Sequence, residues 1–192
     1  MLQIIGETMT TEYRTLLMDP PWNETGGGKI KRGADRHYSL IKPKDMLPTI
    51  LSGINEKGRI AEDAHCYMWV TNNFLKDGLQ LMEDLGFRYV TNIVWVKDRF
   101  GLGQYFRGQH ELMLFGVKGK FHRNKIPDRN CVSVIHAKRN KHSSKPTDQY
   151  VRIESISAGP YLEMFARTER NGWDVWGNDS NLQNTNGQTT LL

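Results

Sequence analysis

The chain has 192 residues, with 38% hydrophobic, 10% aromatic and 24% charged side chains, which fits a soluble globular protein and excludes a disordered or fibrous one. Its net charge of +5 is a weak indication of a polyanionic partner. Cys66 and Cys131 form no zinc or disulfide pattern, and the sequence shows neither a signal peptide nor the roughly 18 apolar residues of a membrane span. We therefore expect a reduced, cytoplasmic protein without a metal site, with one domain at 1–179 and a polar tail at 180–192.

The chain alternates between strand-like and helix-like patterns. Apolar runs typical of strands occupy, in chain order, residues 13–18, 66–70, 89–96, 111–117, 161–166 and 173–176. Amphipathic patterns typical of helices begin at Lys42, Asn72 and Lys145. Because strands alternate with helices, the pattern predicts an α/β fold with a mostly parallel sheet.

Two long segments fit neither pattern. Residues 23–38 are rich in glycine and basic side chains, and residues 118–144 are long and charged. From Lys118 to Lys145 the chain carries nine Lys or Arg residues against one acid, Asp128. A solvated surface normally mixes both signs, so we expect this basic strip to contact the phosphates of a nucleic acid, with an ordinary basic loop as the alternative.

The sequence MDPPW at residues 18–22 follows the first apolar run directly. Proline lacks an N–H and restricts the residue before it to extended conformations, so the strand is expected to end at Asp19. The turn would present two acceptors, the Asp19 carboxylate and the Pro20 carbonyl, with no local donor competing for them. It would lie where α/β folds bind ligands, beside the flat face of Trp22. The alternative is an edge strand that simply ends in a turn.

Two acceptors beside an aromatic face suit a nucleobase that carries an exocyclic amine. The lone pair of such an amine is delocalised into the ring, so acceptors that grip its hydrogens favour attack and stabilise the developing positive charge. We therefore predict that Asp19, Pro20, Pro21 and Trp22 are catalytic. The same logic applies to an adenine-N6 and to a cytosine-N4 amine. Competing motifs fail on spacing, because GGGK lacks the Ser or Thr of a P-loop and the HEL sequence lacks the second His of a zinc protease.

Three blocks of the chain resemble the MT-A70 family of N6-adenine methyltransferases, which use S-adenosylmethionine (SAM). The first is MDPPW with the following GADRHYSLI at 33–41, the second is HSSKPTDQYVRIE at 142–154, and the third is GPYLEMFARTERNGWDVWGND at 159–179. They stand in the family's permuted order. The resemblance implies a Rossmann-like class I methyltransferase fold, an α/β structure with a mixed seven-stranded sheet flanked by helices.

Residues are assigned to the cofactor from the resemblance and to the substrate from the two long loops. The residues that the resemblance places around SAM are Asp19, Lys145, Glu163, Arg167, Asn178 and Asp179. The target adenine must leave the base stack, so the loops are expected to hold it and its strand. The residues expected to do so are Lys29, Arg36, His37, Tyr38, Arg123, Lys125, Lys138 and Arg139 of the loops, together with Trp22 of the DPPW turn.

The activity implied by the resemblance is methyl transfer from SAM to the N6 amine of adenine. DNA is favoured over RNA, because the chain looks like a compact bacterial or phage DNA methylase without an accessory RNA-binding module. The resemblance is compatible with a homodimer or a heterodimer. A rival hypothesis is a non-catalytic partner subunit that only holds nucleic acid. Such a subunit is expected to lose DPPW or the lysine at 145, and this chain keeps both.

Overall fold

In the part of the chain that the computed structural model describes, seven strands form one mixed β-sheet, on which three α-helices pack. The structure describes residues 10–23, 40–101, 103, 105–120, 130–139 and 144–177. In chain order the elements are β1 (Glu12–Met18), α1 (Pro43–Lys57), β2 (Arg59–Val70), α2 (Leu75–Asp84), β3 (Arg88–Lys97), β4 (His110–Lys118), β5 (Val134–Ala137), α3 (Asp148–Ile156), β6 (Tyr161–Met164) and β7 (Trp173–Trp176). Among these described residues, no helix is long and apolar enough to cross a membrane.

The strand order across the sheet is β5-β3-β4-β2-β1-β6-β7. Every strand pair is parallel except those that involve β4, which is antiparallel to both β2 and β3. The prediction of a mixed seven-stranded sheet flanked by helices is therefore confirmed. The carboxyl ends of six strands and the amino end of β4 meet along one side of the sheet, which we call the C-terminal edge. In open α/β sheets this edge is where ligands bind.

The two faces of the sheet carry separate apolar clusters. On one face, Met46 and Ile50 of α1 and Met82 of α2 pack with strand residues that are fully buried. On the other face, Ile153 of α3 packs with a second cluster that includes Trp69. Burial of apolar surface on both faces stabilises the sheet, and it leaves the C-terminal edge as the place where polar groups gather.

Several predicted boundaries differ from the observed ones for local reasons. The strand predicted at 161–166 ends at Met164, because Phe165 has a φ of 62°, a left-handed conformation that ends extended pairing. The helix predicted from Lys145 begins at Asp148, because the residue before Pro146 is disfavoured in helical conformations. The strand predicted at 66–70 begins earlier, at Arg59. Its first half was not predicted because Glu62 and Asp63 interrupt the apolar pattern there.

The basic segment from Lys118 to Lys145 is not one continuous strip in the described part of the chain. It contains β5, a strand of four residues that the charged composition concealed and that pairs with the end of β3. Since β4 runs in the opposite direction to its neighbours, Lys118 at its end lies at the side of the sheet opposite to the C-terminal edge. Lys138 and Arg139 follow β5 and lie at the C-terminal edge. The prediction of a single strip is therefore wrong for these residues.

Candidate active site

The DPPW turn lies at the C-terminal edge, directly after β1. The Trp22 N–H donates to the Pro20 carbonyl at 2.8 Å, and the Ile41 N–H donates to the Pro21 carbonyl at 3.0 Å. A parallel bridge between Trp22 and Ile41 closes the turn. The expectation that no local donor competes for the acceptors is thus wrong, because the Pro20 carbonyl already accepts one hydrogen bond. A carbonyl oxygen has two lone pairs, so one acceptor position of Pro20 remains.

The Asp19 carboxylate is held by the side chain of Lys145. The Lys145 Nζ donates to both oxygens of Asp19, each at 2.8 Å. Both side chains are partly shielded from solvent, with relative exposures of 13% for Lys145 and 23% for Asp19. Charge-assisted hydrogen bonds of this kind are strong and orient the acceptor. The structure therefore brings together two predicted residues that are distant in sequence.

Lys145 also contacts a second carboxylate, that of Glu111 near the start of β4. Its Nζ lies 3.5 Å from Oε2 of Glu111, and the other oxygen of Glu111 is bound by Lys97 at the end of β3. On the far side, Nη2 of Arg167 lies 3.6 Å from Oδ2 of Asp19. Charges thus alternate along the C-terminal edge in the order Arg167, Asp19, Lys145, Glu111 and Lys97, and we call these five residues the charge row.

The alternation keeps Lys145 and Glu111 ionised at neutral pH. Burial lowers the pKa of Lys145, but the negative charges of Asp19 and Glu111 outweigh it and leave the pKa above its usual value. Burial likewise raises the pKa of Glu111, but Lys145 and Lys97 outweigh it and hold the pKa below its usual range. Lys145 therefore remains a cation and Glu111 an anion.

Trp69, the penultimate residue of β2, contacts both the DPPW turn and Lys145. Its carbonyl accepts a hydrogen bond from the Trp22 indole at 3.0 Å, and its own indole donates to Gln149 at 2.7 Å. The Nζ of Lys145 lies 5.4 Å from the centre of the Trp69 ring, within the range of a cation–π interaction. Through Trp69, the end of β2 thus positions the DPPW turn and also Lys145, which binds Asp19 of that turn.

Trp22 does not present a free face, and the expectation of a stacking surface for a base is corrected by the structure. The side chain is 5% exposed and belongs to the apolar cluster of α1 and α2. Its ring stacks on Phe74, with ring centres 5.4 Å apart. The physical reason is that the indole gains both a hydrogen bond and aromatic packing inside the protein.

Glu163, on β6 next to β1, forms a second acidic position of the site. Both of its carboxylate oxygens accept from the Tyr150 hydroxyl of α3, at 3.2 and 2.9 Å. Burial raises the pKa of Glu163 to about 7, opposed by the Tyr150 hydrogen bond and reinforced by Asp19. Arg170 lies over the Tyr150 ring, with its guanidinium carbon 4.2 Å from the ring centre. Glu163 therefore titrates near neutral pH.

The remaining predicted residues divide into two groups. Lys138 and Arg139 are at the C-terminal edge, but β5 is four strand spacings from β1, which is about 19 Å. The others lie outside the described residues, namely Lys29, Arg36, His37, Tyr38, Arg123, Lys125, Asn178 and Asp179. Among the residues described, no cluster of three or more His, Cys, Asp or Glu side chains could hold a metal ion.

Four residues of the site were not found from the sequence: Glu111, Lys97, Trp69 and Tyr150. Each stands in or beside a segment that was assigned only as a strand or a helix. Glu111 had one usable signal, an acid at the start of an otherwise apolar run. Sequence patterns do not show which strand opposes which, so the approach of Glu111 to Lys145 could not be read from them.

A parallel-dominated sheet with ionisable side chains gathered at its C-terminal edge defines the class of α/β proteins that bind ligands at that edge. The MT-A70 family model matches residues 13–179, which cover all seven strands except Glu12, the first residue of β1, and include the charge row. The chain therefore belongs to the MT-A70 family.

Individual relatives agree with this assignment. The chain is 30% identical to the Type II methyltransferase M.MunI of a Mycoplasma species, over 91% of this chain and 81% of that protein. It is 27% identical to a putative N(6)-adenosine-methyltransferase MT-A70-like protein of Medicago truncatula, over 87% of this chain and 26% of that protein. It is 26% identical to the N6-methyladenosine RNA methyltransferase MTA1 of Pyricularia oryzae, over 87% of this chain and 46% of that protein.

The role of Trp22 can be tested with Trp22→Phe. The variant keeps an aromatic ring but removes the indole N–H, leaving the buried Trp69 carbonyl without its donor. We expect the free energy of unfolding to fall by about 1–3 kcal/mol, measured by urea denaturation. Trp176→Phe is the matched control, since its indole donates to Glu56 at an exposed position. Equal stability of Trp22→Phe and the wild type would contradict an interior role for the indole.

The raised pKa of Glu163 predicts a pH-dependent contribution to stability. The pKa of this carboxyl rises from 4.5 when unperturbed to about 7 in the folded protein, so the folded state binds more protons between these values. This contribution is present in full below the unfolded pKa and is lost as the pH rises through the folded one. Glu163→Gln keeps an acceptor for Tyr150 and should therefore gain stability relative to the wild type between about pH 5 and about pH 8. Urea midpoints that keep a constant difference over this range would contradict the assignment.

Proposed function

We propose that this protein transfers the methyl group of SAM to the N6 amine of adenine in nucleic acid. The observation that carries the proposal is the Asp19 carboxylate, fixed at the end of β1 by both hydrogen bonds from Lys145. The proposal is supported by membership of the MT-A70 family, whose methyltransferases use SAM as methyl donor.

The residues at the C-terminal edge fit such a cofactor. Asp19 directly follows β1 and Glu163 is the penultimate residue of the neighbouring β6, and their carboxylates suit the amino group and the ribose hydroxyls of SAM. Thr71, directly after β2, has a buried hydroxyl without a hydrogen-bond partner among the described residues, and such an atom is expected to be satisfied by a ligand. We propose that Asp19, Lys145, Glu163 and Arg167 hold SAM, with Asn178 and Asp179 as further contacts. Bound SAM supplies an electrophilic methyl group.

The protein's own contribution is to orient the amine and to stabilise its charge. The remaining lone pair of the Pro20 carbonyl and the free lone pairs of the Asp19 carboxylate can accept the two hydrogens of the N6 amine. These two hydrogen bonds reduce the conjugation of the nitrogen lone pair with the ring, and they stabilise the positive charge that develops on the nitrogen. The product amine carries one hydrogen fewer than the substrate amine, so one proton must leave. The Asp19 carboxylate is the group placed to accept it.

Lys145 acts through Asp19 in this scheme. Two carboxylates close together resist ionisation, and a cation between them removes that resistance. Because Lys145 donates to both oxygens of Asp19 and also lies 3.5 Å from Glu111, it holds the Asp19 carboxylate in a fixed orientation at the end of β1. Glu163, which titrates near neutral pH, is proposed to ionise when the cationic SAM binds.

We favour DNA over RNA as the substrate and the cytoplasm as the compartment. The preference is supported by the similarity to the Type II methyltransferase M.MunI of a Mycoplasma species, of which the chain spans 81%, whereas it spans 46% of the N6-methyladenosine RNA methyltransferase MTA1. The substrate strand is proposed to contact the basic residues after β5, Lys138 and Arg139, and the loop residues Lys29, Arg36, His37, Tyr38, Arg123 and Lys125. We propose one domain over 1–179 that acts alone or as a dimer, without a metal ion.

The decisive variant is Asp19→Asn. It removes the negative charge while it keeps the size of the side chain, so the ion pair with Lys145 is lost and only a neutral amide oxygen remains as acceptor. We expect methyl transfer to fall by about a hundredfold or more, the size of effect seen when one preorganised polar group is lost from an active site. The measurement is labelled methyl transfer from SAM, followed by nucleoside analysis. Asp84→Asn, on the exposed end of α2, is the control and should keep wild-type activity.

The same assay separates the alternatives when single- and double-stranded DNA and RNA are offered in parallel. N6-methyladenine in the DNA fraction supports the proposal, and N6-methyladenosine in the RNA fraction alone would reject the DNA preference. N4-methylcytosine would reject the choice of base. Activity that is absent in every arm, while nucleic acid is bound, would favour a non-catalytic partner subunit. Near wild-type turnover of Asp19→Asn would contradict its catalytic assignment.

A further inference from the structure

The loop between β3 and β4 carries a concentration of exposed aromatic rings. Phe100, Tyr105 and Phe106 are 60%, 104% and 86% exposed, and the sequence interleaves them with Arg99 and Arg107. We call these five residues the hairpin platform. Rings of this size are normally buried, so their exposure within one short loop requires an explanation in terms of a partner.

Backbone contacts make the loop a defined structure. The Gly101 N–H donates to the Gly108 carbonyl at 2.6 Å, and the Arg107 guanidinium donates to the Gly101 carbonyl at 2.8 Å. A side chain at Gly103 would lie 2.0 Å from the Phe106 carbonyl, so glycine is required for this close approach. Tyr105 has a φ of 59°, which is uncommon for a non-glycine residue. The described residues of the loop are thus held by close contacts, while the rings of Phe100, Tyr105 and Phe106 are exposed.

The platform stands at the same edge as the active site. Lys97 ends β3 and its N–H donates to the Gln109 carbonyl at 2.9 Å, which closes the root of the hairpin. Lys97 also binds Glu111, a member of the charge row. Since β3 is three strand spacings from β1, the root of the platform lies about 14 Å from Asp19 along the edge. A strand of nucleic acid with one base at Asp19 would reach it within a few nucleotides.

The charge of the platform suits a polyanion. The loop from 98 to 109 contains two arginines against one acid, Asp98, whose Oδ2 lies 3.7 Å from Nε of Arg99. The Arg107 guanidinium carbon lies 5.0 Å from the centre of the Phe100 ring, so a cation is placed against an aromatic face. At the root, Asp98 accepts the backbone N–H of Arg139 at 2.9 Å, and this contact ties the basic residues after β5 to the platform.

We propose that the hairpin platform is a stacking site for unpaired nucleobases that flank the target adenine. Aromatic rings bind bases of any identity through their faces, and neighbouring guanidinium groups contact the phosphates. An apolar partner protein would not require the two arginines, and a purely electrostatic contact would not require three exposed rings. The proposal rests on the proposed function for the position of the target base, and it assigns the substrate strand a second contact beyond that base.

The test uses the full chain and single-stranded DNA oligonucleotides that contain one adenine, either short or extended on one side, with 2-aminopurine in the extension. The variant is Phe100→Ala/Tyr105→Ala/Phe106→Ala. The aromatic swap Phe100→Tyr/Tyr105→Phe/Phe106→Tyr conserves the ring faces. The matched control is Val90→Ala, which is 41% exposed near the amino end of β3. Affinity is measured by fluorescence anisotropy, stacking by quenching of 2-aminopurine, and SAM affinity by calorimetry.

We expect the alanine variant to bind the extended oligonucleotide at least roughly tenfold more weakly and to lose the quenching, given the strength of base–aromatic stacking. Its affinity for the short oligonucleotide and for SAM should equal that of the wild type, and the aromatic swap and Val90→Ala should behave as the wild type. Equal affinity of the alanine variant and the wild type for the extended oligonucleotide would overturn the proposal. A change of oligomeric state at unchanged affinity would overturn it in favour of a contact between copies of this chain.

These outcomes are distinguishable from a failure of the proposed function. If the wild type binds the extended oligonucleotide and quenches its 2-aminopurine but transfers no methyl group to it, the proposed function is rejected and the stacking role of the hairpin platform is retained. If the wild type and the alanine variant methylate the extended oligonucleotide with the same KM, the stacking role of the hairpin platform is rejected and the proposed function is retained.

Discussion

The active site depends on one ammonium group, that of Lys145, placed between the carboxylates of Asp19 and Glu111. Without that cation, Asp19 would lose the two hydrogen bonds that orient it, and Glu111 would lose one of the two positive charges that hold its pKa below the usual range. A buried ion whose partner is removed is costly, so the arrangement is stable only as a whole. The position of Lys145 is itself determined locally. Pro146 disfavours a helical conformation at Lys145, and the Nζ of Lys145 lies 5.4 Å from the centre of the Trp69 ring.

The reversed direction of β4 makes this arrangement possible. Glu111 stands near the beginning of β4, and because β4 is antiparallel to β2, its beginning meets the ends of the other strands. A parallel β4 would have placed Glu111 at the opposite side of the sheet. The same reversal puts the connection from β3 to β4 at the C-terminal edge, so the charge row and the exposed aromatic rings share it. It also explains why Lys118 is separated from Lys138 and Arg139.

Sequence patterns predicted the parts of the fold that local chemistry determines. β1 and the DPPW turn were predicted because an apolar run is followed by two prolines, and the helices because apolar residues recur at helical spacing. β5 was missed because four residues in a charged segment give too short a pattern. Trp22 was misjudged because its partners, Trp69 and Phe74, are distant in sequence. Glu111 was missed because its role in the site depends on the direction of β4 relative to the neighbouring strands. Non-local pairing is the information that residue patterns lack.

The most direct measurement of the central claim is a double-mutant cycle on kcat/KM for methyl transfer with Lys145→Met and Glu111→Gln. If Lys145 works by compensating both carboxylates, the two effects must be coupled. We predict that Glu111→Gln lowers kcat/KM in the wild-type background and that, in the Lys145→Met background, it leaves kcat/KM unchanged, since Glu111 then has no ammonium group through which to act on Asp19. The same fractional loss from Glu111→Gln in both backgrounds would show that the two residues act independently and would contradict the account.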